Sequence, residues 1–347
     1  SWRPPCNARG AWPIPGRGYD ARMPRLVFVP LVLLFLVPAL AEEPARLAPT
    51  QDGTEIQADT ILAPGAHLSA KRAGAGWLVI RTDGVTLDLG GATLCGAADD
   101  AAPDELTGVG SLVDGAKGVT IRGGAVAGFK VGIRAVRAND LVVEDVDASG
   151  NFKQRLKSTP EKEDASDWLW PHENDEGEWE AKYGAGISLN DCDGATVRRC
   201  LVRNGQNGVL LTRCTKSFVY DNDFSFNSGW GVALYRTTHS EISHTRCDFC
   251  VRGYSHGVYY RGQDSAAILV FEQSSHNLFV RNSGTHSGNG FFLYAGHETT
   301  QRTGTGGSNH NRVIANDVRF AVANGIEATF SEGNHFALND EDHVDLG

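Results

Sequence analysis

Four acidic residues, Asp264, Glu272, Glu298 and Glu327, share one part of the chain with Arg261, Tyr260, Tyr294, His297 and Arg302. Hydrolysis of a sugar chain needs two carboxyl groups roughly 5–9.5 Å apart on either side of the glycosidic bond. Elimination next to a uronate carboxylate needs instead a base and a positive charge, or a metal, to hold the resulting anion. Arg261, Tyr260, Tyr294, His297 and Arg302 are residue types suited to that second reaction. No diagnostic motif spaces either set, and most loop histidines and carboxylates are structural. Arg261, Asp264, His297 and Glu298 are the candidate catalytic residues because of where the chain's architecture puts them.

That architecture is a repeat. Ala185-Gly186-Ile187, Asn207-Gly208-Val209, Trp230-Gly231-Val232, His256-Gly257-Val258, Asn289-Gly290-Phe291 and Asn324-Gly325-Ile326 each open a short apolar stretch. A second column, Asp145, Cys200, Asn222, Thr245, Asn282 and Asn316, follows β-rich triplets and steps by 22, 23, 37 and 34 residues from Cys200 onward. A period near 22 residues, with strand residues at period two and Gly/Asn turns, marks a solenoid. The leucine-rich spacing is absent, and only part of one insertion shows a helical period. The reading is all-β: a parallel β-helix in which each coil stacks about 4.8 Å from the next. Asn222, Asn282 and Asn316 should then stack in one turn and share amide hydrogen bonds.

The motifs of residues 52–346 resemble the right-handed parallel β-helix superfamily of pectate-lyase-like and NosD-like proteins. Thr60-Ile61-Leu62-Ala63-Pro64-Gly65 and Gly84-Val85-Thr86-Leu87-Asp88-Leu89-Gly90-Gly91 look like that family's first coils. The resemblance implies function on a lateral face, often carbohydrate binding or cleavage.

The irregular steps locate insertions. The step of 55 from Asp145 to Cys200 leaves extra residues at 151–183, and the steps of 37 and 34 imply loops at 261–275 and 295–310. The two later loops are expected in the same turn of consecutive coils, walling one groove, since insertions in a solenoid collect on one face. Outward positions beside it would be Leu210, Ala233, Tyr259, Phe292 and Glu327, then Thr212, Tyr235, Arg261, Tyr294 and Thr329. Tyr235, Arg236, Tyr259, Tyr260, Tyr294 and Glu327 are therefore the candidate sugar contacts. The competing reading is that the insertions bury these aromatics as a satellite core. Trp168, Trp170 and Trp179 of the first insertion either clamp a ligand or tuck that loop onto the coil.

Met23-Pro24-Arg25, an apolar run to Leu40, and Ala39-Leu40-Ala41 read as a secretory signal peptide at 23–41, after a non-structural extension at 1–22. The mature protein, 42–347, is expected to be secreted or periplasmic, a monomer, and free of the membrane after cleavage. A net charge of −10 argues against a nucleic-acid partner. The chain stops before another glycine phrase, which predicts missing C-terminal coils.

Cys192 and Cys214 each lie six residues past a repeated glycine, so adjacent coils bring them together. A disulfide fits that spacing and an exported chain, and a buried thiol ladder fits it as well. Cys247-x-x-Cys250 has no partner motif for zinc. Nine of eleven histidines lie between His239 and His343, which resembles NosD, whose family is linked to copper delivery. Met23 is the only methionine, which excludes a thioether copper site in the mature chain. Asp191-x-Asp193 and Asp221-x-Asp223 could hold calcium or cap turns. No other cofactor is implied. Three functions stay open: a carbohydrate-active lyase, hydrolase or epimerase; a non-catalytic binder of a glycan, metal or partner protein; and a structural or adhesion solenoid.

Overall fold

Ile133, Ile187, Val209, Val232, Ile268 and Phe291 lie in register on successive strands, and all are buried. Most of them are the β-branched residues that follow the repeated glycine. Burying each contributes about 1.5–3 kcal/mol. The column runs up the interior of a parallel β-helix. The computed structural model describes residues 46–69, 76–98, 100–253, 257–258, 262–294, 304 and 306–342.

One sheet carries the glycine-phrase strands: Val131–Val136, Ala185–Asn190, Val209–Thr212, Trp230–Tyr235, Ala266–Phe271, Asn289–Tyr294 and Ile326–Thr329. A second sheet carries Val142–Asp147, Thr196–Arg198, Phe218–Tyr220, Glu241–Ser243, Leu278–Val280, Arg312–Ile314 and His335–Ala337. All neighbours pair in parallel. Single-residue bridges through Asp147, Leu201, Asp223, Arg246, Ser283, Asp317 and Asp340 line the third side.

The repeated glycine answers a steric demand. A Cβ on Gly208 would sit 2.3 Å from the Gly231 carbonyl oxygen of the next coil and 2.8 Å from Phe224 Cβ. The expected asparagine ladder forms from Asn282 onward. Asn282 Nδ2 donates to Asn316 Oδ1 at 3.0 Å, and Asn316 Nδ2 to Asn339 Oδ1 at 3.0 Å. Thr245 separates Asn222 from this run, with its own N–H on Asn282 Oδ1 at 3.0 Å.

Three expectations are corrected. Val146, not Asp145, stands beside Cys200, because Val142 pairs with Thr196 and Val143 with Val197. Asp145 instead pairs with Arg199 at 2.8 Å. Next, Gly257 and Val258 lie in a turn rather than a coil strand, and His256 lies outside the described residues. Ala266–Phe271 fills that place, Trp230 pairing with Ala266 and Tyr235 with Phe271, and Ala267 stands in for the glycine. The extra residues of this coil therefore precede the strand, at 251–265 rather than 261–275. They enter the strand Ala266–Phe271, whereas the other expected loop, whose residues 295–303 lie outside the described residues, follows the strand Asn289–Tyr294. The 251–265 segment shares its corner with the first insertion.

Finally, Cys192 and Cys214 do come together but as free, buried thiols rather than a disulfide. Burial pushes the Cys214 thiol well up, and Cys214 Sγ donates to Leu189 O at 3.4 Å.

Candidate functional site

The first insertion is a folded strap across the outer face of the glycine-phrase sheet. Its helix, Glu178–Tyr183, ends at Gly184, which has φ +61° and donates its N–H to Glu180 O. Any side chain there would strike the Lys130 carbonyl oxygen at 2.3 Å. Trp179 is fully buried, with its ring 4.8 Å from Trp230 and 5.3 Å from Tyr235. Leu169, Trp179 and Tyr183 from the strap join Leu210, Trp230, Tyr235, Leu269 and Phe271 in a second core.

Polar contacts fasten the strap along successive coils. Glu180 pairs with Arg134 at 3.0 Å and accepts from Ser188 Oγ at 2.6 Å. Asn174 Nδ2 donates to Thr212 Oγ1 at 3.0 Å. Asp175 accepts from the Tyr235 hydroxyl at 3.0 Å and pairs with Arg236 at 2.9 Å. Tyr235 is 2% exposed. The groove reading therefore fails for Tyr235 and Arg236, which hold the strap.

Beyond its apolar contacts the strap reaches Tyr294 through His172. The half-buried Tyr294 ring stacks on Phe271 at 5.3 Å and meets His172 edge-on at 5.4 Å and Phe330 at 6.0 Å. Trp170, 54% exposed, lies 4.4 Å from His172. Burial pushes the Tyr294 phenol up, and the charges of Asp264, Glu272 and Glu327 push it further. All three carboxylates are near enough for their charge to act on this phenol. Glu272 is buried, and Asp264 and Glu327 are half-buried. Asn324 Nδ2 donates to Glu327 at 2.8 Å. Asp264 is placed by its own backbone, whose carbonyl accepts the Trp230 indole N–H at 3.0 Å.

Such an arrangement offers an aromatic ledge for a sugar ring and carboxyl groups at its edge. Of the sequence candidates, Asp264, Tyr294 and Glu327 come together here. Arg261, His297, Glu298, Tyr259, Tyr260 and Arg302 lie outside the described residues. The sequence reading missed Phe271 and His172, and left Trp170 between clamping a ligand and tucking the loop onto the coil. The run Ala267-Ile268-Leu269-Val270-Phe271 was a strand signal, hidden because it lacks the glycine.

Three of the four calcium candidates pair with basic side chains of the protein. Asp191 pairs with Arg213 at 2.7 Å, Asp193 with Lys216 at 3.6 Å, and Asp223 with Arg203. No grouping of three or more His, Cys, Asp or Glu that could hold a metal occurs among the described residues.

Residues 181–340 match the family model described as right handed beta helix region. No curated protein matches the chain. Among solved structures, an alginate lyase from Paenibacillus sp. str. FPU-7 aligns with a TM-score of 0.53 at 13% identity, covering 83% of this chain and 92% of that one. The periplasmic alginate epimerase AlgG gives 0.48 at 11% identity, covering 82% and 70%. The surface adhesin PfbA of Streptococcus pneumoniae gives 0.43 at 11% identity, covering 85% and 90%. At these identities the likeness is one of fold. The fold is a right-handed parallel β-helix, and residues 181–340 match the model of that family.

Proposed function

We propose that this protein is an exported, monomeric β-helix enzyme that hydrolyses a polysaccharide at the Tyr294 ledge. Asp264 and Glu327 are the carboxyl pair, and Trp170, His172 and Tyr294 are the sugar platform. The observation that carries this reading is the cluster of Trp170, His172, Phe271 and Tyr294, with Asp264, Glu272 and Glu327 near enough to act on the Tyr294 phenol. Among the described residues the charges acting on this phenol are all negative, which suits acid and base roles at a glycosidic bond and disfavours an anionic elimination intermediate. The leader at 23–41 supports export. A solved neighbour of this fold that is named as an alginate lyase supports a glycan substrate, without choosing the reaction.

The test is incubation of the mature chain with neutral and uronate polysaccharides. New reducing ends, cut about 10²–10⁴-fold in Asp264→Asn and Glu327→Gln, support hydrolysis. Unsaturated products absorbing in the ultraviolet would replace hydrolysis with elimination. Binding without products leaves a glycan-binding protein.

A further inference from the structure

Under the corner where the strap meets residues 252–265, a set of polar groups is sealed from solvent. Arg252 is 4% exposed. Its Nε donates to the Asp167 carbonyl and its Nη2 to Gln154 Oε1 at 2.7 Å, while its Nη1 reaches no acceptor. Gln206, fully buried, accepts from Gln154 N at 3.0 Å, and its Nε2 also lacks a partner. Gln154 thus ties together two side chains that each hold an unused donor.

The local charge does not balance. Lys153 stands close enough that Arg252's charge, after burial itself, lowers its pKa. Asp167 is the carboxylate that acts on Arg252, and its oxygens already accept the N–H groups of Lys157 at 2.8 Å and Ser158 at 2.6 Å. Among the described residues, the buried Arg252 and the half-buried Lys153 face one committed carboxylate, which leaves one positive charge. An uncompensated buried charge is among the costliest features of a protein interior.

We infer that this corner binds one small monovalent anion, chloride or a carboxylate such as formate, between Arg252 Nη1 and Gln206 Nε2. The anion completes both donors and cancels the residual charge. It also locks the strap to the second insertion, since Leu169 N donates to Gln263 O at 3.2 Å and Gln263 Nε2 to Ser158 Oγ at 2.9 Å across the same seam.

The experiment takes the full chain dialysed into sodium gluconate, whose anion is far larger than chloride or formate. It is then titrated with sodium chloride or sodium formate at constant ionic strength. The expected result is a saturable rise in Tm, about 5 °C at a hundredfold excess over Kd. Chloride-35 line broadening that formate competes away should accompany it, and both effects should vanish in Arg252→Met. Should that variant not fold, Gln206→Leu carries the test, with Kd raised about tenfold. A Tm that follows ionic strength alone overturns the proposal, as does broadening undiminished in both variants; the corner then holds water only.

Discussion

Asp175 of the strap accepts a hydrogen bond from the buried Tyr235 hydroxyl at 3.0 Å and pairs with Arg236 at 2.9 Å. One carboxylate thus fixes the loop to the coil beneath it. The ion pair is partly exposed and contributes little, whereas the hydrogen bond from a buried phenol to a charged acceptor contributes about 1.5–3 kcal/mol. Asp175→Ala should lower stability by about that amount and make residues 152–183 the first site of limited proteolysis. Cleavage at wild-type rates would show that the apolar contacts alone hold the strap.

Trp179 is the apolar anchor of the same strap. Trp179→Ala should cost about 3–5 kcal/mol and leave Trp230, Tyr235 and Phe271 open to solvent. Chemical denaturation gives the cost. Binding of a hydrophobic dye should increase in step.

Tyr294 reports on the three carboxylates without any substrate. Its phenol is raised by burial first, then by Asp264, Glu272 and Glu327. A group whose folded pKa is raised contributes stability that is full below the unfolded tyrosine value, about 10, and is lost as pH climbs through the folded value. Ultraviolet difference titration should show late-ionising tyrosines, the buried Tyr235 among them, with one lost in Tyr294→Phe and that same one shifted down in Asp264→Asn. An unshifted titration in Asp264→Asn would place that carboxylate away from the ledge.

Asn316 is bonded on both sides of its coil, accepting Asn282 Nδ2 at 3.0 Å and donating to Asn339 Oδ1 at 3.0 Å and to Phe279 O at 3.1 Å. Asn316→Ala leaves buried donors and acceptors unmet on three residues. A loss of about 3 kcal/mol is expected in urea denaturation. A loss below about 1 kcal/mol would mean that the ladder is decorative.

Cys192 and Cys214 are free thiols in adjacent coils. Alkylation under denaturing conditions without reductant should label both, and Cys214→Ala should leave the fold intact. Recovery of a linked peptide pair by mass spectrometry would contradict the structure.

The coil rhythm was legible because each turn of a solenoid meets the same local demands. Asn282 and Asn316 needed amide partners one coil apart, and Gly208 needed space beside Gly231; both demands are written as repeats. Reading the rhythm by glycine alone misled at Gly257, because alanine suffices at Ala267. That single substitution moved an expected loop to the other end of the sheet.

By itself the chain determined the parallel stack of coils, the buried columns and the existence of three interruptions, since these depend on period and side-chain type. Only the tertiary structure decided what the interruptions do. Whether an outward Tyr such as Tyr235 faces a ligand or a strap depends on where residues 152–183 lie down, and no local pattern encodes that path. The action of Asp264, Glu272 and Glu327 on the Tyr294 phenol likewise joins coils through stacking across about 4.8 Å, a proximity in space that spacing along the chain does not state.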